Sequence, residues 1–367
     1  MRRLIAIVGY QCSAIMSIVL CHFVESLSSL HRQSELLPRR APEIHEEEIH
    51  TTTRSAILPL RLARCANPKG ERVPPDIFYS PENADLHFPC ARGNFFPAGR
   101  PKSDAALCAE MARLTYCRQE SGFAFDQVKI RSVLGLIGFT NCQFFERKGS
   151  KKGRGTHSFL AVREDMVSGG ELAVLAFRGT DRGDFTNLGT DADLVPTPWE
   201  KGGKVHRGFA EALSEVRPTL DLALQALKCR ALFTGHSSGA ALATLMASVH
   251  DPACIYTFGS PRVGDADFVS TLMDVENRRY VDCCDLVTRV PPEFLGYTHA
   301  GDLYYIDRER KIARQPSDSM ISDDQDRARR KYLLEYAWRI GNVGMRDLAD
   351  HSPINYVAPV SAEEFSG

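Results

Sequence analysis

The chain of 367 residues has no excess of either charge: 45 Lys and Arg stand against 46 Asp and Glu, a formal net charge of −1. No overall basic field exists to recruit a phosphate backbone, so no nucleic-acid partner is expected. The 11 cysteines include no C-x-x-C pair, which argues against a zinc ribbon or a thioredoxin-like redox site. Their odd number and irregular spacing also argue against a disulfide scaffold and assign no individual bridge. No internal repeat of solenoid length is present. A mean hydropathy of −0.23 excludes a multi-span membrane protein. Aromatics at 9% and hydrophobic residues at 43% exclude a long disordered chain and suit a large globular domain.

The one long apolar run lies at the N-terminus. Arg2 and Arg3 precede LIAIVGYQCSAIMSIVL, from Leu4 to Leu20, and Ser26 and Ser28 have the small-x-small spacing of a cleavage site. The run is longer than a typical signal core of ~7–15 residues and just short of a typical span of ~20. Residues 1–28 therefore read as a signal peptide or an N-terminal membrane anchor, and the chain as exported or membrane-anchored. Residues 29–76 read as a polar linker, with prolines and the run Glu46–Glu48. That run, flanked by His45 and His50, reads as a solvated face rather than a metal site.

Residues 77–362 alternate helical and strand-like patterns. Ser103–Arg118 has helical spacing with Ser103 as cap. Strands are expected around Phe139–Arg147, Ser158–Arg163 and Leu172–Phe177, with a hairpin turn at GSKKGRG between the first two. Gly208–Val216 and Leu220–Leu227 read as two helices, Ala231–Thr234 as a strand and Ser238–His250 as a helix. Cys254–Phe258 and Arg279–Cys284 read as buried strands, with Cys229, Cys254, Cys283 and Cys284 as small buried hydrophobes. Such alternation implies an α/β domain with a mostly parallel central sheet flanked by helices.

Within it, Gly235-His236-Ser237-Ser238-Gly239 matches G-x-S-x-G, preceded by the strand CRALF and followed by the helix SGAALATLMASV. This context marks a nucleophile elbow: the strand-to-helix turn is tight, so its flanks must lack bulky side chains. Ser237 then stands at a helix N-terminus, where the dipole favours developing negative charge and the Ser238 N–H can face it. A serine hydroxyl needs a base and an orienting acid. In α/β-hydrolase sheets the order is Ser, acid, His. The downstream acids are Asp265, Asp267, Asp282, Asp285 and Asp302. Asp285 is the best placed, after the strand RYVDCC. Asp282 lies inside the strand pattern, and Asp265 follows the turn-like GSPRVG. Of the three downstream histidines, His250 ends a helix and His299 sits in an aromatic, strand-like hairpin. His351 lies on a loop before a terminal strand-like segment, and a loop lets its ring reach Ser237 and Asp285.

Further segments in the same order carry a resemblance. Phe177-Arg178-Gly179-Thr180-Asp181, Val205-His206-Arg207-Gly208-Phe209, TFGSPRVGDADF from Thr257, Asp285-Leu-Val-Thr-Arg-Val-Pro-Pro, Gly296-Tyr-Thr-His-Ala-Gly, and Asp350-His351 followed by Tyr356 span Ala105 to Val357 together with the elbow. The chain resembles the class-three, fungal-type lipases of the α/β-hydrolase fold. The resemblance implies Ser237 as nucleophile, His351 as base and then acid, and Asp285 as its orienting acid. It implies Thr180 and Ser238 as oxyanion donors and aligns Arg182–Leu194 with the lid. It requires no metal or organic cofactor and implies a lipid or ester partner, at a membrane or droplet surface. Two features depart from the family: Ser238 stands where leucine is usual, and the lid segment has no tryptophan. The charged segment Asp307–Asp347, with the helix-like DQDRARRKYLLEYAWRI, reads as an insert. The expected activity is cleavage of lipid acyl esters through an acyl-enzyme. Phospholipase A1 or short-chain carboxylesterase activity on the same residues is the alternative within the enzyme class. A degenerate hydrolase fold used for lipid binding is the alternative outside it.

Overall fold

The computed structural model describes residues 78–119, 122–147, 155–165, 169–180 and 195–363, all within the unit Pro75–Gly367. The N-terminal run, the polar linker, most of the GSKKGRG turn and the segment Arg182–Leu194 lie outside the described residues.

The strands are β1 (Asn141–Glu146), β2 (His157–Glu164), β3 (Glu171–Phe177), β4 (Pro196–Pro198), β5 (Lys204–His206), β6 (Arg230–His236), β7 (Cys254–Phe258), β8 (Asn277–Asp282), β9 (Asp302–Ile306) and β10 (Ile312–Arg314). Eight of them form one sheet in the order β1-β2-β3-β6-β7-β8-β9-β10, and β4 pairs with β5. From β3 through β9 all neighbours are parallel, and antiparallel pairs close the two edges. The mostly parallel sheet flanked by helices, expected from the alternation, is present. The central strand β3 is a continuous apolar run from Leu172 to Phe177 because both of its faces are covered. Along β3, Val174 and Ala176 face the helices Asp104–Leu114 and Pro353–Glu363. Ala173, Leu175 and Phe177 face the helices Arg207–Gln225 and Ser238–Ala247.

Local chemistry sets the helix starts. The Ser103 hydroxyl accepts the Ala106 N–H at 3.2 Å, the expected cap. Where two helices were expected after Gly208, one runs unbroken from Arg207 to Gln225 through Pro218. An interior proline costs about 3 kcal/mol. The buried stripe Phe209, Leu213, Val216, Leu220, Leu224 continues across it, and each such side chain contributes about 1.5–3 kcal/mol. Pro218 itself faces solvent.

Three other expectations change. The segment after His351 is a helix, Pro353–Glu363, not a strand. Pro353 suits the first helical position, and Tyr356, Val357 and Val360 are buried at helical spacing. The strand expected to include Cys283 and Cys284 ends at Asp282, and a turn closed by the Asp285 N–H on the Asp282 carbonyl (2.7 Å) carries both cysteines. Both are buried, as Cys254 is, while Cys229 is only partly so. Cys90 and Cys117 form a disulfide. The insert holds the helix Asp318–Glu335, capped by Ser317 and packed through Asp324, Ala328 and Tyr332.

Candidate active site

The parallel strands β6, β7 and β8 end side by side, with His236 opposite Phe258 and Phe258 opposite Tyr280. The segments leaving these ends carry the candidate chemistry. Ser237 follows β6 with φ 59° and ψ −132°, a conformation an L-residue keeps only where its surroundings enforce it. The enforcement is visible. The Ser237 N–H donates to the Phe258 carbonyl at 3.0 Å, while its carbonyl accepts the Ala240 N–H at 2.9 Å. A methyl group on Gly235 would overlap the Gly239 backbone, and one on Gly239 would overlap the Phe177 carbonyl. Gly179 is equally constrained: its missing side chain would run into the Tyr116 hydroxyl and the His236 carbonyl. These three glycines let the β6 turn, the helix after it and the end of β3 interlock.

Asp285 and His351 meet. His351 Nδ1 lies 2.8 Å from Asp285 Oδ2 and 3.0 Å from Oδ1. Nδ1 therefore carries the proton and Nε2 is left as the basic nitrogen, because a carboxylate only accepts. The carboxylate takes two further donors, the Val287 N–H at 2.9 Å on Oδ1 and the Tyr356 hydroxyl at 2.5 Å on Oδ2. Ser237 is fully buried and His351 is 1% exposed. The Ser237 hydroxyl oxygen makes no hydrogen bond among the described residues. The two nevertheless share one neighbourhood. Ser237 binds the Phe258 carbonyl, and a Cβ built on the next residue, Gly259, would stand 3.2 Å from His351 Cε1 and 2.8 Å from Asp285 Oδ2.

Thr180 and Ser238, the expected oxyanion donors, are also together, with their hydroxyl oxygens 2.6 Å apart. Ser238 is the first residue of its helix, so its N–H has no acceptor within the helix. Arg178 anchors the strand end that carries Thr180, donating to the Phe123 carbonyl at 2.6 Å.

The other sequence candidates are placed elsewhere. Asp282 is buried in an ion pair with Arg310. Asp265 caps the helix Ala266–Ser270 through the Phe268 N–H, a structural role. Asp302 faces Arg314 at an exposed edge. His250 pairs with Asp221 at 2.8 Å. His299 donates from Nε2 to the Thr288 carbonyl at 2.8 Å. Burial, then the Arg279 and Arg262 guanidinium groups, hold it well below the ordinary imidazole range.

Several supporting roles were not read from the sequence. His236 donates from Nε2 to the His351 carbonyl (2.9 Å) and so accepts the Tyr116 hydroxyl at Nδ1 (2.7 Å). Burial, then the His351 ring at 4.5 Å, hold His236 well below the ordinary imidazole range, so it is a neutral brace. Asp350 binds the Cys284 N–H at 2.9 Å, Arg346 at 3.0 Å and the Tyr79 hydroxyl at 2.7 Å. It thereby ties the residue before His351 to the residue before Asp285. Asp350 also groups with the Cys283 and Cys284 thiols, their ligand atoms all within 4.8 Å. Its oxygens are already committed to those three donors, which makes it a poor metal ligand.

Residues 174–295 match the family model described as Lipase (class 3). A lipase of Rhizomucor miehei is 33% identical over 150 residues, covering 36% of this chain and 41% of that protein. A secreted mono- and diacylglycerol lipase of Fusarium solani is 38% identical over 118 residues, covering 29% and 35%. A triacylglycerol lipase of Ricinus communis is 26% identical over 296 residues, covering 56% of each chain. The matched stretches span between about a third and somewhat over half of these relatives. Among solved structures, a triacylglycerol lipase described as having a serine protease triad for its catalytic centre has a TM-score of 0.46 at 23% identity, over 67% of this chain and 98% of that one.

Proposed function

We propose that this chain, which carries a class 3 lipase segment over residues 174–295, is a serine carboxylic-ester hydrolase acting on lipid acyl esters such as acylglycerols. The observation that carries the proposal is the buried His351–Asp285 pair held at the same end of the parallel strands as a serine in a strained turn. The names of the similar proteins supply the substrate class.

The chemistry follows from the placement of protons. Asp285 holds Nδ1–H of His351, so Nε2 is free of a proton and takes the one that Ser237 releases as its oxygen attacks the ester carbonyl. Asp285 stabilises the imidazolium that forms. The Tyr356 and Val287 donors keep its carboxylate aimed at that ring. The negative charge on the former carbonyl oxygen falls between Thr180 and the Ser238 N–H, at the positive end of the helix Ser238–Ala247. The imidazolium then protonates the departing alcohol, leaving the acyl group on Ser237. Water, giving a proton to His351 Nε2, then attacks the acyl carbonyl; the bond to Ser237 Oγ breaks, the imidazolium returns its proton to that oxygen, and the fatty acid leaves. No step requires a metal or an organic cofactor. The basic residues and apolar core at 1–28 support export or N-terminal membrane anchoring, and the secreted relatives support export.

The test is an ester panel from short acyl chains to long triglycerides and phospholipids, run on the wild-type protein and on Ser237→Ala. Cleavage by wild type and none by the variant is expected. Equal cleavage by both would refute the proposal. The profile across the panel separates acylglycerol lipase from phospholipase A1 and short-chain esterase.

A further inference from the structure

The insert helix Asp318–Glu335 buries one narrow stripe, Asp324, Ala328 and Tyr332. Ile321, Gln325 and Arg329 also touch the domain, and Tyr336 and Ala337 of the following turn pack beside Tyr332, while the opposite side and the end of the turn are open. Leu334 is 73% exposed, Trp338 70% and Ile340 fully so, although each would contribute about 1.5–3 kcal/mol if buried. The indole is held in place rather than loose: Trp338 Nε1 donates to the Leu334 carbonyl at 2.9 Å, and Arg339 lies 5.6 Å from its ring. Isolated exposed apolar residues need no explanation, but a bulky group clustered at one helix end does.

Charge distinguishes that end from the other. Residues 318–326 contain four acids and no base, whereas residues 327–340 contain five bases and one acid. Arg329 is engaged by Asp347 at 2.9 Å. Arg327, Arg330, Lys331 and Arg339 are exposed. Lys331 lies 3.9 Å from Glu335, an exposed pair of little strength. Arg327, Lys331 and Leu334 recur at spacings of four and three residues, so they share one side of the helix, and Trp338, in the turn beyond Glu335, is tied back to Leu334. The helix dipole accounts for acids first and bases last. It does not account for tryptophan, leucine and isoleucine in water among the bases. Apolar residues with an aromatic, ringed by Lys and Arg, are the composition of an interfacial docking element.

We propose that the C-terminal half of this helix and the turn through Ile340 dock on an anionic phospholipid surface. Leu334, Trp338 and Ile340 enter the headgroup–acyl boundary, and Arg327, Arg330, Lys331 and Arg339 meet the phosphate and carboxylate headgroups. This rests on the proposed action on lipid esters, whose substrates lie at a lipid surface. The docking element is separate from Ser237, Asp285 and His351.

The test exploits the presence of only two tryptophans. Trp199 is part-buried and donates to Ser248, so in full-length Trp199→Phe protein the emission comes from Trp338 alone. Vesicles of phosphatidylcholine mixed with phosphatidylserine should shift that emission to the blue, and bromine-labelled acyl chains should quench it. Phosphatidylcholine alone should give much less of both. Near an anionic membrane each basic residue is worth about fivefold in partitioning, so Arg327→Ala/Arg330→Ala/Lys331→Ala should weaken the response about a hundredfold. Should Trp199→Phe fold poorly, the wild-type signal less that of Trp338→Phe gives the same readout. Vesicle binding with no Trp338 shift would overturn the proposal, since another part of the chain would then be the anchor. An emission already blue and unquenched by iodide without vesicles would also overturn it, with a second copy or another segment as the occupant. Ser237→Ala should dock as wild type does. Hydrolysis of a water-soluble ester should survive the triple substitution, so failure of docking and failure of the hydrolase reading are separable.

Discussion

Replacing Gly259 by alanine would place a methyl group against three atoms of the candidate site at once. The Cβ would lie 2.8 Å from Asp285 Oδ2, 3.1 Å from the Tyr356 hydroxyl and 3.2 Å from His351 Cε1. A carbon-to-oxygen contact settles at about 3.3 Å or more, so the carboxylate must retreat by roughly half an ångström. A 1 Å misplacement costs about a hundredfold in rate, so half that displacement should lower kcat about tenfold. Gly259 also has φ +60°, and an alanine there costs about 1–2 kcal/mol in backbone strain. At about 2–4 °C per kcal/mol, Tm should fall by roughly 2–8 °C. Strain and displacement are separable because Gly296 has φ +85° with nothing within 4 Å of its Cβ position. Gly296→Ala should lose stability and keep kcat. Short-chain ester turnover and thermal melting of both variants provide the comparison. Wild-type kcat in folded Gly259→Ala would refute the reasoning that the Asp285–His351 geometry governs turnover.

Other perturbations have equally definite outcomes. Because His299 and His236 are held neutral when folded and take up protons at about pH 6.5 when unfolded, stability is lost as pH falls below that value, by up to about 1.4 kcal/mol per pH unit for each. Denaturant titrations between neutral and mildly acidic pH should show a shallower loss in His299→Gln, and an unchanged slope would contradict the assignment. Ser238→Ala keeps the backbone N–H and should cost under about tenfold in kcat, whereas Thr180→Ala removes a hydroxyl from the proposed oxyanion site and should cost about 10²-fold or more. Equal effects of the two would remove Thr180 from that role. The Cys90–Cys117 disulfide closes a separation of 27 residues, so Cys90→Ser/Cys117→Ser should lose about 3–4 kcal/mol of unfolding free energy, measurable in urea.

What could be read before folding was local. The elbow motif stands out because Gly235, Ser237 and Gly239 sit within one strand–turn–helix, and the parallel core because short, mostly apolar runs such as Leu172–Phe177 and Cys254–Phe258 alternate with helical patterns. The order of Ser237, Asp285 and His351 followed from the way such sheets are wound. Misreadings arose where burial overrode a local signal. The stripe from Phe209 to Leu224 carried a helix through Pro218, and the β-branched look of Ile354-Asn355-Tyr356-Val357 concealed a helix opened by Pro353. The bracing of the site was not legible, because Tyr116 reaches His236 and Tyr356 reaches Asp285 across 120 and 71 residues. Only the motif spacing of Tyr356 after His351 hinted at either.

The central claim is that Ser237 becomes acylated through His351. The most direct measurement is reaction of the protein with a fluorophosphonate, followed by mass spectrometry of the modified peptide. One adduct on Ser237 is expected, absent in Ser237→Ala and formed orders of magnitude more slowly in His351→Ala. An adduct on another residue, or labelling of Ser237 at an undiminished rate without the imidazole, would contradict it.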